Sequence, residues 1–286
     1  MNETSNRLPY WLSAPAALVV LTLVAAPLLL TFSLSLYPLL PGNTIGTQPT
    51  LSNYEQIVSD SYYHTIFART FGMAALVTLV CALIGVPEAY VLSRLSPRWR
   101  AVSIVIVLGP LLVSVVVRTL GWAILLGNEG LINKALIATG WIDRPVTLMY
   151  TFTGMVIALV HVLVPLMVLA VWASLQKLDV AAEQAADSLG ASPATVLRRI
   201  VLPQVIPGVL SGSLIVFALA ASAFATPDII GGRRLKVVPT MIYDQFLNEL
   251  NWPMGAALAA ALVVVVLTVS MLVNRLVERR YQQVFV

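Results

Sequence analysis

Charged side chains are scarce in this chain of 286 residues: Asp, Glu, Lys and Arg make up only 10% of it, whereas 59% is hydrophobic. Soluble domains carry about 25% charged residues, so there are too few here to cover a water-facing surface. The mean hydropathy of +0.89 points the same way. This scarcity excludes a soluble globular domain and predicts a protein whose solvent is the lipid bilayer.

Cysteine and histidine are almost absent as well. The single cysteine, Cys81, lies within an apolar run, which excludes an intrachain disulfide and favours a buried hydrophobic role. The two histidines, His64 and His161, lie far apart, and no HExxH or CxxC pattern occurs. We therefore expect no metal site and no catalytic group, and we expect His161 to pack inside a helix with one polar partner.

Two further absences narrow the function. No GxxxxGK[ST] phosphate loop is present, so the chain cannot hold ATP by that route, and it is predicted not to be an enzyme. The net charge of +4 is spread over the ends of apolar runs and forms no basic patch, which argues against a nucleic-acid partner.

Six long apolar runs dominate what is present. A helix needs about 20 mostly apolar residues to cross the hydrocarbon core. The predicted spans are Leu12–Tyr37, Ala68–Leu92, Ala101–Leu126, Leu148–Leu175, Val205–Phe224 and Met254–Val273. The first run is longer than a signal peptide's apolar core and is read as a retained span. We expect an all-α polytopic membrane protein with one transmembrane domain over residues 1–286.

Basic residues are distributed unequally between the two sides of these spans. One side holds Arg7, Arg94, Arg98, Arg100, Lys177, Arg198, Arg199, Arg275, Arg279 and Arg280. The other side holds Lys134, Arg144, Arg233, Arg234 and Lys236, and the Pro38–His64 loop contains neither Lys nor Arg. Because cytoplasmic loops are enriched in Lys and Arg, the ten-to-five asymmetry predicts that both termini are cytoplasmic.

Proline and glycine interrupt the predicted spans repeatedly. The interruptions are Pro27, Gly85–Pro87, Gly109–Pro110, Pro165 and Pro207–Gly208. Each proline removes a helical hydrogen bond and tends to kink the helix, and in lipid the freed carbonyl must find a partner inside the protein. Kinked spans therefore favour a transporter or channel over a simple membrane anchor.

A polar stretch between the fourth and fifth spans, Glu183–Pro203, reads EQAADSLGASPATVLRRIVLP. We expect Asp179 to cap a helix that begins at Val180 and stops at Gly190, a residue suited to the left-handed conformation. Ser192 is expected to cap a second short helix, which ends near Leu202–Pro203. The pattern predicts a water-facing helical hairpin on the cytoplasmic side.

This hairpin resembles the EAA-x₃-G-x₉-I-x-LP loop of permease subunits in binding-protein-dependent ABC importers. The matching positions are Gln184, Ala185, Ala186, Gly190, Ile200, Leu202 and Pro203. Gln184 stands where the family usually has Glu, and Glu183 precedes it. The resemblance implies a type I ABC importer permease fold, with a cytoplasmic coupling loop over residues 179–203 that docks on an ATPase. The implied coupling residues are Glu183, Gln184, Ala185, Ala186, Asp187, Gly190, Ala191 and Arg198.

Two other stretches, Ser114–Leu136 and Ala221–Phe246, resemble the first membrane subunit of spermidine/putrescine import permeases. The resemblance implies a multi-pass protein of the bacterial inner membrane that imports a polyamine from periplasm to cytoplasm. The implied partners, besides membrane lipid, are a second homologous permease subunit, a periplasmic solute-binding protein and two ATP-binding cassette subunits. Those ATPase subunits, and not this chain, would bind ATP and Mg.

Several alternatives stay open from the sequence. The solute could be another small amine-bearing or anionic organic molecule. A secondary transporter driven by an ion gradient would need no cytoplasmic hairpin, and the sequence has no pair of acidic residues in the middle of a span. A membrane scaffold or signalling partner that conducts nothing would not need kinked spans.

Candidate pathway residues are those that are ionisable within spans or lie at their outer ends. Ionisable groups inside a membrane are costly, which makes them functional candidates. The set comprises Glu88, Arg118, Trp122, Glu129, Tyr150, Phe224, Asp228, Tyr243 and Asp244. The outer carboxylates would attract a cation, and the aromatic rings could face an amine. Snorkelling arginines, solvated loop charges and an aromatic belt are the ordinary explanations for the same residues.

Overall fold

The computed structural model describes residues 8–177 and 180–280, whose regular structure is almost entirely helical. The α-helices in this part of the chain are α1 (Leu8–Leu34), α2 (Ser52–Ser59), α3 (Ser61–Arg94), α4 (Pro97–Leu112), α5 (Val115–Leu126), α6 (Leu131–Ala138), α7 (Phe152–Leu175), α8 (Val180–Ser188), α9 (Pro193–Val196), α10 (Leu202–Ala221), α11 (Ala225–Gly231), α12 (Val238–Tyr243) and α13 (Trp252–Arg280). Strands β1 (Leu39–Leu40) and β2 (Thr44–Ile45) form a short antiparallel pair. Leu197–Val201 and Asp244–Asn248 are π-helical, and Gly232–Arg234 is a 3₁₀ turn.

Six helical segments among the described residues are long and apolar enough to cross a membrane. They are Ser13–Leu34, Ser61–Arg94, Val115–Ala138, Phe152–Leu175, Pro193–Ala221 and Trp252–Arg279. The predicted number of spans is confirmed. The main difference from the prediction concerns the third span.

The third span is not the continuous helix predicted over Ala101–Leu126. α4 ends before Val113, whose backbone is extended, and the apolar segment of membrane length is Val115–Ala138. Pro110 lies close to this break and has no backbone N–H to donate. A broken helix leaves its last carbonyls without helical donors, and here the Arg118 guanidinium donates to the Pro110 carbonyl. Inside lipid such a carbonyl needs a partner from the protein itself.

The polar hairpin forms much as the sequence predicts. α8 ends at a corner where Gly190 is left-handed (φ +77°). The Ala191 N–H donates to the Ala186 carbonyl over 3.1 Å, which is the characteristic closing bond of a Schellman C-cap. Ser192 then caps α9 by accepting a hydrogen bond from the backbone N–H three residues on. The predicted cap at Asp179 lies outside the described residues.

The second helix of the hairpin does not end near Leu202–Pro203 as predicted. α9 passes through the π-helical turn Leu197–Val201 directly into α10. The Leu202 N–H donates to the Leu197 carbonyl five residues back. Because Pro203 has no N–H and its ring crowds the preceding turn, a wider turn accommodates it without ending the helix. The second helix of the hairpin and the fifth span are therefore one continuous helical segment.

Contacts divide the described residues into two compact units. The first comprises residues 8–64 and 241–264, and the second comprises residues 65–240 and 265–280. In the first unit, the buried Asn53 side chain donates to the carbonyls of Ser35 (2.9 Å) and Tyr37 (2.8 Å), which fixes α2 to the chain leaving α1. The single permease domain expected over residues 1–286 stays a prediction.

The core of the second unit is built around α7, the most buried of the membrane-length segments found in the described residues. α10 packs along α7 through glycines. A Cβ at Gly208 would lie 2.5 Å from Ser174 Cβ, and one at Gly212 would lie 2.7 Å from Met167 Sδ. Small residues let membrane helices approach closely, so these two glycines set the α7–α10 contact.

Candidate functional site

The hairpin predicted to couple to an ATPase presents a small, mostly uncharged surface. Gln184 and Ala185 are exposed on α8, and the Leu189 side chain beside Gly190 is 88% exposed. Small side chains keep this surface shallow, so a groove of another protein can close over it with Leu189 as an apolar anchor. The surface is suited to docking.

Glu183 faces inward, unlike its neighbour Gln184. Its Oε2 lies 2.5 Å from Arg94 Nη2, and the residue is 9% exposed. Arg94 is the last residue of α3, and its guanidinium lies 5.1 Å from the Tyr90 ring centroid. Since the Arg94 side chain is 49% exposed, the pair contributes at most about 1 kcal/mol to stability. Its consequence is positional, because it ties α8 to the end of the second span.

The sequence analysis missed Arg94 as part of this site. The available signal was its position at the predicted cytoplasmic end of a span, but the sequence analysis used Arg94 only to predict the orientation of the spans. Its pairing with Glu183 joins residues 89 positions apart, and no local pattern predicts such a contact.

The other predicted coupling residues surround the corner. Ala186 and Ala191 are half-buried, and Arg198 is exposed on the π-helical turn. Asp187 belongs to α8, and its side chain lies outside the described residues. Contact of these residues with an ATPase stays a prediction.

Two cavities flank the π-helical turn. One, of about 710 Å³, lies between α3, α10 and α13, and Arg198 contributes to its lining. The other, of about 290 Å³, lies between α3, α7 and α10. Val86, Pro87 and Leu202 line both cavities. Both spaces are partly open to the surface, so the turn is not closely packed against α3 on these sides.

Two predicted pathway residues line one cavity. Arg118 and Phe224 border a space of about 370 Å³ between α5, α7 and the start of α11. Arg118 is 9% exposed, and its Nε has no hydrogen-bond partner among the described residues. The Thr119 and Thr226 hydroxyls lie 3.2 Å apart and join α5 to α11 nearby. A buried guanidinium repels cations, so the geometry explains Arg118 best through its bond to the broken helix.

Trp122 and His161 form a separate pair. Trp122 Nε1 donates to His161 Nδ1 over 3.1 Å, with the ring centroids 5.4 Å apart and nearly perpendicular. The predicted polar partner of His161 is therefore present, although the histidine is exposed in this chain and not packed inside it.

The predicted carboxylates of the second unit lie on three different parts of the chain. Glu88 is half-buried on α3, Glu129 is exposed between α5 and α6, and Asp228 is exposed on α11. Tyr150 is also exposed, with φ +61°, and its ring packs beside Gly232. Pathway roles for these residues stay predictions.

Tyr243 and Asp244 belong to the first unit, where α12 meets the second π-helical turn, Asp244–Asn248. Tyr243 is 42% exposed, and Asn248 Nδ2 donates to Asp244 Oδ1 over 2.6 Å. Their pathway role is likewise still a prediction.

Comparison with known proteins places the chain in a family. Residues 90–283 match the binding-protein-dependent transport system inner membrane components. The chain belongs to this family and is a multi-pass inner-membrane protein with the permease fold of type I ABC importers. It is 34% identical to the spermidine/putrescine transport system permease protein PotB of Escherichia coli (strain K12) over 208 residues, covering 73% of this chain and 75% of PotB. PotB of Haemophilus influenzae is 30% identical over 236 residues, 82% of each chain.

Solved structures agree on the architecture. A bacterial ABC transporter involved in the import of the acidic polysaccharide alginate superposes with a TM-score of 0.78 at 16% identity, covering 95% of both chains. The MetNI methionine ABC transporter superposes with a TM-score of 0.58 at 16% identity, covering 74% of this chain and 92% of that one. At such identities the likeness shows the fold alone, and it confirms the predicted fold class.

Proposed function

We propose that this chain is a permease subunit of an ATP-driven importer that carries spermidine, putrescine or a related polyamine from the periplasm to the cytoplasm. The observation that carries the proposal is the 34% identity to PotB over 73% of the chain. The family description supports dependence on a periplasmic solute-binding protein. An anionic solute and an ion-driven carrier are the less favoured alternatives.

The proposed mechanism begins at the hairpin. Two ATP-binding cassette subunits, which would bind ATP and Mg²⁺, close beneath the membrane and displace α8. The Arg94–Glu183 pair passes this displacement to α3, and the continuous helix through Leu197–Val201 passes it to the fifth span. A bundle with inward and outward states then responds, provided that ATP binding favours one state over the other.

Orientation and assembly complete the proposal. The ten-to-five distribution of Lys and Arg supports cytoplasmic termini and a cytoplasmic hairpin. A second, homologous permease subunit would complete the pathway. The lack of a phosphate loop in the sequence supports an ATPase site on the partner subunits and none on this chain.

Reconstitution tests the proposal directly. The complete transporter in proteoliposomes is expected to accumulate labelled putrescine and spermidine, with ATP on the hairpin side and the binding protein on the opposite side. Replacing ATP by ADP provides the control. Accumulation of an anionic solute in preference to both polyamines, or uphill uptake without ATP, would overturn the proposal.

A further inference from the structure

In the described part of the first compact unit, every residue that carries a formal charge is acidic. Across its described residues, 8–64 and 241–264, the sequence contains four carboxylates and neither Lys nor Arg. The four are Glu55, Asp60, Asp244 and Glu249. The whole chain, in contrast, has 17 basic and 13 acidic residues. This unit therefore attracts cations although the chain as a whole is basic.

Aromatic and acidic side chains converge in this unit where α3 begins. The Tyr62 and Tyr63 rings meet edge to face, with centroids 5.7 Å apart. Tyr63 is buried, whereas Tyr62 is 46% exposed. Asp60 lies two residues before Tyr62 in the sequence. The Tyr62 hydroxyl contacts Met241, which precedes Gln245 by four residues within one continuous helical stretch and precedes Glu249 by eight. An accessible ring beside carboxylates is a combination that binds organic ammonium groups.

Hydrogen bonds hold these groups in place. Asp60 Oδ1 accepts a hydrogen bond from the Tyr62 backbone N–H over 2.8 Å. The Tyr62 hydroxyl donates to Met241 Sδ over 4.0 Å. Gln245 Nε2 donates to Glu249 Oε2 over 2.5 Å. The ring and both carboxylates are thus fixed before any ligand binds, which lowers the entropy that binding would cost.

Gln245 supplies an independent indication of a ligand. It is 2% exposed, and its Oε1 has no hydrogen-bond partner among the described residues. The amide nitrogen must face Glu249, because an oxygen there would meet a carboxylate that only accepts hydrogen bonds. The orphan carbonyl oxygen of the same amide group therefore lies beside Glu249. A buried acceptor without a donor is unfavourable, and the N–H of a bound ammonium would satisfy it.

We propose that these groups form a binding site for an organic ammonium ion, here called the Tyr62 cluster. Its members are Asp60, Tyr62, Tyr63, Gln245 and Glu249. The cluster lies at the opposite end of α3 from Arg94, and so at the periplasmic end in the proposed orientation. The identity of the ion as a polyamine rests on the proposed function, whereas the site itself requires only an organic cation.

A thiol placed inside the cluster reports its charge. Ser61 is exposed between two members of the cluster, and Ser61→Cys preserves every member. The native Cys81 is fully buried, so it gives little background reaction. In the purified complete transporter, we expect a trimethylammonium methanethiosulfonate to label the new thiol roughly tenfold faster than a sulfonate analogue. Millimolar spermidine is expected to slow this labelling.

Matched variants assign the effect to the cluster. Adding Glu249→Gln to Ser61→Cys should lower the rate ratio several-fold and remove protection by spermidine. Glu55→Gln removes the same charge from an exposed position of the same unit that lies outside the cluster. This control should leave the rate ratio and the protection by spermidine unchanged. Tyr62→Leu should preserve the rate ratio and weaken protection. This variant keeps the test informative if Glu249→Gln fails to assemble.

The outcomes separate this inference from the proposed function. Equal rates for the two reagents, or protection that survives Glu249→Gln, would overturn the site even if polyamine uptake is normal. A transporter that imports no polyamine, yet shows the cation preference and is protected by another organic cation, would overturn the proposed solute and support the site.

Discussion

At the scale of single residues, the conformation of the polar hairpin depends on one left-handed residue and one ion pair. Gly190 turns the chain with φ +77°, and a Cβ built there meets no atom within 4 Å. The requirement for glycine is therefore conformational and not steric. Glu183 and Arg94 then fix the direction of α8 relative to α3.

Gly190→Val should uncouple ATP hydrolysis from uptake, because a left-handed β-branched residue costs about 1–2 kcal/mol and would reshape the corner. We expect uptake to fall several-fold while the transporter assembles normally. Gly140→Val is the matched control, since Gly140 is also left-handed (φ +72°) with no atom near its Cβ. Wild-type uptake in Gly190→Val would contradict the prediction.

Glu183→Gln should also reduce uptake per ATP hydrolysed, since it removes the charge that holds Arg94. The exchange of both residues, Arg94→Glu with Glu183→Arg, should restore part of the loss. Arg98→Ala, at an exposed basic residue nearby, serves as the control. The measurement is the ratio of transported solute to released phosphate, and an unchanged ratio in Glu183→Gln would refute a role for the pair.

At the scale of elements, the helices contain two irregularities that a regular α-helix would not have. α4 and α5 are separated at Val113–Ser114, and the π-helical turn at Leu197–Val201 joins α9 to α10. Proline lies beside each irregularity, as Pro110 and Pro203. The first irregularity is closed by a side chain, Arg118, and the second by a widened backbone turn.

Arg118→Met should destabilise the transporter by about 1–3 kcal/mol, because it leaves the Pro110 carbonyl without its donor inside the membrane region. The measurement is the free energy of unfolding in detergent from denaturant titration. Arg118→Lys retains a donor and should recover part of the loss, and Arg144→Met at an exposed loop arginine is the control. Lost uptake with unchanged stability would instead favour a pathway role for Arg118.

Hydropathy and the local conformational preferences of single residues predicted much of this fold. They did not predict a break within an apolar run or contacts between distant parts of the chain. The length of apolar runs is enough to find six spans, and the conformational preferences of Gly190 and Ser192 are enough to place the corner. The break at Val113–Ser114 was missed because the sequence there, VSVVV, is apolar on both sides. The Tyr62 cluster was missed because its members are separated by about 180 positions and meet only through tertiary contacts.

At the scale of the whole molecule, the chain has a hairpin that we propose docks on an ATPase, and its sequence contains no phosphate-loop motif. Three features distinguish the chain at this scale. They are the six membrane-length segments, the hairpin, which faces the cytoplasm in the proposed orientation, and the acidic residues of the first unit. Under the proposed function, the energy for transport comes from another subunit.

The chain alone, reconstituted without ATPase subunits under a proton or sodium gradient, should not accumulate spermidine. The complete transporter with ATP, prepared in the same lipid, is the positive control. Uphill accumulation by the isolated chain would identify a secondary transporter and refute the ATP-driven mechanism.

The π-helical turn Leu197–Val201, which joins α9 to the fifth span, has one more consequence. It holds one residue more than the corresponding α-helical turn, and each residue of an α-helix advances the side-chain direction by about 100°. If the turn tightened to α-helical geometry, every side chain of α10 would be re-aimed by that angle relative to α9. A small push at the membrane surface could thus change which face of the fifth span borders the solute's route, without melting any helix.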